Sequence, residues 1–444
     1  MKTGYARVCI NPPYGAPILG YYERRFTKGI ADNLYARAAA FDDGVKKAVI
    51  IAVDIGLLGQ VHYDAIKDGV MKAVDIDRDA IFINCSHTHT GPVLGTDTAS
   101  GTQSDPAYDA FLVAGARDAA VYAFSDLHES RICTAEAEAK HISFCRRFRM
   151  KDGSVATNPG VGNPNIDHAL GTPNETVKLV KIIREGADDI FIINFGTHPD
   201  TTGGEYISAD YMGHACAALE GAVPGTKCMF LQGAQGDVNH VNVNPTAAER
   251  TVFAIDFDGV PRGVGHAKHM GRVLAGAVLS VCSIAEEVKA DTITYASKTV
   301  CLPSNQENDR IPEAKKIYKY YEEGRTAELP YKEMELTTVV AEAIRILDLE
   351  NGPEAFPFVL SALKIGDLVF AGIGGEPFTE LGNRICAESP FKNTVLCALT
   401  NNEGKYIPTA QAYEEGGYEA RSSLLKPGGD DIIAEGMAVL LRSL

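Results

Sequence analysis

The sequence predicts an α/β fold in which a mixed sheet, or more than one, is flanked by helices. Three observations lead there. Short β-branched runs alternate with helical stretches along most of the chain, and polar segments bearing His, Glu or Tyr follow directly on several of the strands. The 444 residues are 45% hydrophobic and 23% charged, as in ordinary globular proteins, with no repeat and no low-complexity tail.

A polar turn at Gly29 to Asn33 precedes Leu34 to Phe41, and Lys47 to Asp54 is a short apolar run of the kind that forms a buried strand, with Asp54 near its end. Gln60 to Val74 has a helical period, and Ala80 to Cys85 reads as the next strand, so this part is β-α-β. A helix over 106–124 and strands over 190–195 and 226–232 continue the pattern. Two long polar excursions, Lys151 to Pro173 and 234–264, interrupt it, and loops of that length in a folded chain are usually functional. Helices are predicted over 312–324 and 331–350. Phe356 to Ile373 reads as two strands joined at Gly366-Asp367, Val395 to Leu399 as another, and 430–444 as a terminal helix with one apolar face.

Composition narrows the function classes. Lys and Arg number 42 against 58 Asp and Glu, a formal net charge of −16, which disfavours nucleic acid and anionic membrane because phosphate repels an acidic surface. A small-molecule substrate is the expected partner, stable membrane association is not expected, and a homo-oligomer stays open. No run reaches the roughly 18 apolar residues of a membrane span, and the first residues lack the apolar core of a secretion signal, so a cytoplasmic location is expected. Ten cysteines without a C-x-x-C pair fit reduced thiols, several of them in apolar stretches (Cys85, Cys216, Cys228 and Cys397).

The candidate chemistry sits at predicted strand ends, where open α/β sheets usually place it. Ser86-His87-Thr88-His89-Thr90-Gly91-Pro92 follows the strand that ends at Cys85. On an extended backbone, residues i and i+2 project to one side, so two neutral imidazoles there offer themselves to zinc; the plainer alternative is a pair of loop histidines bonded to backbone. His198 follows the strand Ile190 to Phe195, and histidines at two strand ends of one sheet can converge on a metal. Glu376, in Gly374-Gly375-Glu376-Pro377-Phe378, is either a further ligand or a first-turn acid that complements a helix dipole. Tyr406 follows the strand Val395 to Leu399 and is either a ligand or a packing residue. Gly233 to His240 is a glycine-containing loop that either binds an oxyanion through its amides or is an ordinary turn. Gly160-Val161-Gly162 lacks the Lys-Ser/Thr of a phosphate loop, which argues against nucleotide binding.

Taken in order, these segments resemble the neutral/alkaline, non-lysosomal ceramidase family, whose catalytic domain is a zinc-dependent amidase that cleaves the N-acyl bond of ceramide. The resemblance runs from about Gly4 to Ser423. It rests on His87-Thr88-His89-Thr90-Gly91-Pro92 for the family's H-T-H-[ST]-G-P, His198-Pro199 for H-P, Gly375-Glu376-Pro377-Phe378-Thr379 for P-G-E-F-T, and Tyr406-Ile407-Pro408-Thr409 for Y-V-T-T. It implies a ceramidase-like catalytic domain spanning 1–444; the signal and the C-terminal immunoglobulin-like domain that secreted members of the family carry are not expected here, a departure that points away from a membrane-lipid substrate. It implies Zn2+ held by His87, His198, Glu376 and Tyr406 at strand ends, with His89 beside the metal. Tyr418, before Glu419-Ala420, matches a second tyrosine of the family, and Arg146 matches an active-site arginine, although Arg147 would take that place after a one-residue slip.

The chain departs from the family at Gly236-Asp237-Val238-Asn239-His240, where the family reads G-D-V-S-P with its serine at the catalytic centre. Asn239 cannot act as a hydroxyl nucleophile, but its amide can donate to an oxyanion or position a water. A zinc-water mechanism survives that change and an acyl-serine mechanism does not. The expected activity is therefore hydrolysis of an amide or ester of a small polar molecule, with His89 as proton shuttle and Arg146 and Asn239 steadying negative charge. Asp237 would orient a neighbour. Cleavage of a glycosidic bond on the same metal site is one alternative, and a zinc-containing binding protein without turnover is another. A neighbouring hydroxyl such as Thr90 or Ser208 is a candidate to replace the missing serine.

Overall fold

Alanine and β-branched residues dominate the first third of the chain, and their small or stiff side chains suit strands buried on both faces. The computed structural model describes residues 1–247, 254–255 and 261–444. The strands are β1 (Lys2–Cys9), β2 (Tyr35–Asp42), β3 (Lys47–Val53), β4 (Ile81–Cys85), β5 (His128–Glu138), β6 (Thr176–Arg184), β7 (Asp189–Phe195), β8 (Thr226–Gln232) and β9 (Glu286–Val288). They form one sheet in the order β8-β7-β6-β5-β1-β2-β3-β4, with β9 paired to β5. The sheet is mixed: β7 with β8 and β3 with β4 run parallel, and the other neighbours antiparallel.

Helices cover both faces. The β3-to-β4 connection carries α1 (Gln60–Ala73), the predicted β-α-β unit, and α2 (Pro106–Ser125) packs on β1 and β2. That approach requires Gly4, since a Cβ there would lie 1.9 Å from the Ala123 carbonyl oxygen. On the other side, α3 (Asp210–Ala222) and α4 (Val264–Val281) pack together beside the core formed by Phe191, Ile193, Phe195, Tyr211 and Met270.

A second, four-stranded sheet consists of β10 (Ile293–Pro303), β11 (Ala355–Ile365), β12 (Leu368–Ile373) and β13 (Asn393–Cys397) in that order. The predicted turn at Gly366-Asp367 joins β11 and β12 as an antiparallel pair, and β12 runs parallel to β13. Between β10 and β11, α5 (Ile311–Glu322) and α6 (Glu333–Leu349) share a small apolar core of their own. Then come α7 (Thr379–Glu388), α8 (Tyr418–Ser422) and α9 (Gly429–Arg442), the last lying against β10 and β11.

Two buried asparagines tie the sheets together. Asn84 on β4 donates to the Ala398 carbonyl and accepts from the Gln232 amide, and Asn194 on β7 donates to the carbonyls of Leu231 and Leu396. The strand ends that carry the candidate residues are thereby brought together.

Two readings of the sequence need adjustment, and the N-terminal strand β1 is an element the sequence did not mark. The excursion over 151–173 contains short strands, Val155–Thr157 and Ile166–Ala169, that flank Arg147–Met150. The second excursion, 234–264, contains Val238–Asn239 paired with Phe144–Cys145, while its residues 248–253 and 256–260 lie outside the described part. Among the described residues no helix is long and apolar enough to cross a membrane.

Candidate metal centre

The chain beyond β4 does not stay extended. His87 has φ +69, a left-handed backbone that non-glycine residues rarely adopt, so the two histidines converge through a turn and not through the alternation expected of a strand. The turn is held at both sides: the His87 N–H donates to the Ile55 carbonyl and the His89 N–H to that of Pro199. The His87 Nδ1 lies 2.9 Å from the Gly56 carbonyl oxygen, which fixes Nδ1 as donor and leaves Nε2 with its lone pair facing inward. His198, beyond β7, is fixed by its own N–H to the Val238 carbonyl.

His87, His89 and His198 come together with one ligand nitrogen each inside a 4.8 Å group. Their rings meet edge to face at centroid distances of 4.8 to 5.2 Å, and the Nε2 atoms of His89 and His198 are 3.0 Å apart. Glu376 joins them, with Oε2 3.2 Å from His87 Nε2 and 3.7 Å from His198 Nδ1. This carboxylate is not in a helix. It belongs to the two-residue strand Glu376–Pro377, which pairs in parallel with Tyr406–Ile407, and Glu376 and Tyr406 are register partners. The α7 helix starts three residues later, at Thr379, so the dipole role does not describe it. The Tyr406 ring lies stacked beside His198 at 6.3 Å.

The chemistry of this group fits a cation. Among the described residues the Nδ1 atoms of His89 and His198 and the Oε2 of Glu376 are buried without a hydrogen-bond partner, Oε2 having only its ion-pair contacts to His87 and His198, and a buried lone pair left unmet costs about 1–3 kcal/mol. Burial, together with the charges of His87 on His89 and of Arg146 on His198, pushes both imidazoles well below their ordinary pKa, so both are neutral. At His87 burial acts the same way but is outweighed by the Glu376 carboxylate, which raises it. Burial and then the Glu376 charge hold the Tyr406 phenol protonated far above its usual range. A set of imidazoles and a carboxylate of this kind suits a transition-metal ion.

Around the cluster, the ambiguity between the two arginines resolves by contact. Arg146 lies over the Tyr406 ring, donates to the Gly236 carbonyl at 2.7 Å and is 2.8 Å from Glu419 Oε1. Arg147, the next residue, lies over Phe378 and pairs with Glu415 at 3.1 Å, with its Nε 3.8 Å from the other oxygen of Glu419. Tyr418 meets the Tyr406 ring at 5.5 Å, and its hydroxyl is 3.3 Å from that of Tyr22.

Asn239 stands beside these residues on the Phe144–Cys145 ladder, but its side chain is engaged elsewhere: Nδ2 donates to Asn158 and Oδ1 accepts from the Val241 amide. The loop before it is an ordinary turn in part, since the amides of Gly233, Gly236 and Val238 all donate to backbone carbonyls. Asp237 does orient a neighbour, accepting from both the amide and the hydroxyl of Thr379 at the start of α7. Neither proposed hydroxyl is spare. Thr90 bonds Thr202 and the Ser208 carbonyl, and Ser208 Oγ donates to Asp32 and accepts from the Asp210 amide.

Several residues at the centre were not singled out by sequence. Glu419, fully buried, holds Arg146 and accepts from Thr157; its signal was an acid inside the Tyr418-Glu419-Ala420 motif, where burial demands a cation. Tyr21 packs edge-on against His89 at 5.2 Å and Arg25 donates to the His89 carbonyl, both from a hairpin with no motif to mark it. His240 bonds Asp200 at 2.9 Å just beyond Asn239.

No protein-family model matches the chain. Among solved structures, the fold is similar to that of neutral ceramidase from Pseudomonas aeruginosa, with a TM-score of 0.75 and 16% identity over 100% of this chain and 75% of that one. A structure of ceramidase complexed with C2 is similar at 0.75 and 17%, with the same coverage. The chain therefore has a ceramidase-like fold, with a possible three-histidine metal site at its strand ends.

Proposed function

We propose that this chain is a zinc-dependent hydrolase that cleaves an amide or ester bond of a small polar substrate. The observation that carries this reading is the buried His87, His89, His198 and Glu376 group with unmet nitrogen and oxygen atoms, at the strand ends of a ceramidase-like fold. His87, His198, Glu376 and Tyr406 are the residues that would hold the ion, with His89 next to it. When bound, zinc supplies Lewis acidity, polarising a scissile carbonyl and acidifying water.

The chain's own residues account for the rest. Glu419 keeps the Arg146 guanidinium over Tyr406, where it can hold a carbonyl or carboxylate through paired donors. His89, neutral and buried, is placed to accept and return a proton at its ring nitrogens. Tyr418 can donate from its hydroxyl, and Asn239 retains one amide hydrogen beyond its bond to Asn158. With Asn239 at the serine position and the hydroxyls of Thr90 and Ser208 engaged, water is the nucleophile and an acyl-serine intermediate is not formed. We take residues 1–444 as one catalytic unit, cytoplasmic, acting on a small molecule and on neither nucleic acid nor membrane lipid, as the −16 charge favours.

Elemental analysis of the purified chain is the test. About one zinc per wild-type chain, lost in both His87→Ala and His198→Ala, is expected. A folded wild type without metal, or variants that keep it, would overturn the site. A panel of N-acyl amines and acyl esters then separates the enzyme from a second reading, a zinc-containing binding protein, which Asn239 favours and which predicts metal without turnover.

A further inference from the structure

We propose that a cavity on the far side of the Arg146 segment binds a small zwitterion, an amino-acid-like molecule bearing both an ammonium and a carboxylate. The cavity measures about 470 Å³ and is lined by Arg147, Leu170, Gly171, Asp237, Phe378 and Thr379 among others. It does not contain the histidines, and the inference stands independently of the hydrolase reading.

Two buried, charged side chains line this cavity with capacity unspent. Arg147 is 2% exposed, and its hydrogen bonds, to the Ala412 and Gly416 carbonyls and to Glu415, all leave from Nη2. Among the described residues Nη1 donates to none. Asp237 is 5% exposed and takes both of its Thr379 bonds, at 2.7 and 2.8 Å, on Oδ1. Its Oδ2 has no hydrogen-bond partner among the described residues, and lies 3.6 Å from the point where a Cβ on Gly171 would sit. Gly171 has φ +141, so the wall opposite Asp237 carries no side chain at a position that disfavours one.

On these two buried side chains a guanidinium edge and a carboxylate oxygen that do not bond each other keep donor and acceptor capacity toward the cavity. The two together specify a complement: an ammonium donating to Asp237 Oδ2 and a carboxylate accepting from Arg147 Nη1, both charge-assisted. Phe378 and Leu170 supply an apolar surface for a side chain, and the volume falls within the usual range of small-molecule sites. A simple anion would meet Asp237 with repulsion and a simple amine would meet Arg147 likewise. A molecule with both charges satisfies both groups.

The test is calorimetric titration of the full chain with glycine, L-leucine and L-glutamine, with methylamine and acetate as single-charge controls. At least one amino acid should bind saturably and each control at least tenfold more weakly. Ala169→Trp, at the exposed rim, should lower that affinity at least tenfold without lowering the melting temperature, and Asp237→Asn should weaken it by a similar factor. Failure of all three amino acids to bind the folded wild type would overturn the proposal. So would equal binding by Ala169→Trp, or controls that bind as well as the zwitterions.

Discussion

Glu419 shows how much one buried acid can carry. It is fully enclosed, with Arg146 on one oxygen and Thr157 on the other, and Arg146 in turn places its charge over Tyr406. Removing one partner of such a pair leaves the other charge buried, a loss of about 3–5 kcal/mol. Glu419→Gln should therefore lower the denaturant midpoint by that equivalent, and a shift under about 1 kcal/mol would show that Arg146 finds other acceptors. At this scale the sequence was informative where a motif has a fixed spacing. His87 and His198 stand out because each follows an apolar strand, whereas Glu376 and Tyr406 enter as ligands only through the family resemblance; the structure groups His87, His89 and His198, with Glu376 3.2 Å from His87 and the Tyr406 ring beside His198. Tyr21 and Arg25 could not be picked out, because their proximity to His89 arises from a hairpin path that leaves no local pattern.

At the scale of elements, α6 acts as a clamp. Its Glu342 receives both terminal nitrogens of Arg310 at the head of α5 and the guanidinium of Arg421 from α8, the helix that begins with Tyr418. Burial alone would raise this carboxyl, but the hydrogen bonds and charges of the arginines hold it down at about 2. A carboxyl depressed on folding stabilises the fold fully above its unfolded value of about 4.3, and that contribution is lost as pH falls through about 2. Glu342→Gln should thus cost about 1–3 kcal/mol at pH 7, discounted for the partial exposure of Arg310, and the deficit should shrink between pH 4 and 2. Thermal unfolding across that range checks it; a deficit independent of pH would mean that shape and not charge holds the clamp. Helices and strands with strong periods, such as α1, α2, α6 and the β11–β12 hairpin, lie within a few residues of their predicted bounds. What periodicity could not give was partnership: β1 pairs with β5, more than a hundred residues further along the chain, and pairing at that range is decided by tertiary packing.

In the whole molecule, the two sheets are coupled through Asn84 and Asn194. Asn84→Ala would leave the buried Gln232 amide without its acceptor, at about 1–3 kcal/mol, while the Ala398 carbonyl keeps the Thr400 hydroxyl. Its unfolding should nevertheless remain one transition, with near-UV and far-UV circular dichroism coincident, because the second sheet has no independent seam at that edge. Two separated transitions would show that the sheets melt apart. The pairing of Glu376 with Tyr406 has a further consequence in time, during synthesis. A nascent chain that has emerged only as far as β8 already contains all three histidines, yet it lacks both residues of that ladder. In the zinc site proposed above, the donor set would therefore be complete only after the second sheet has been made and docked, more than a third of the chain beyond β8.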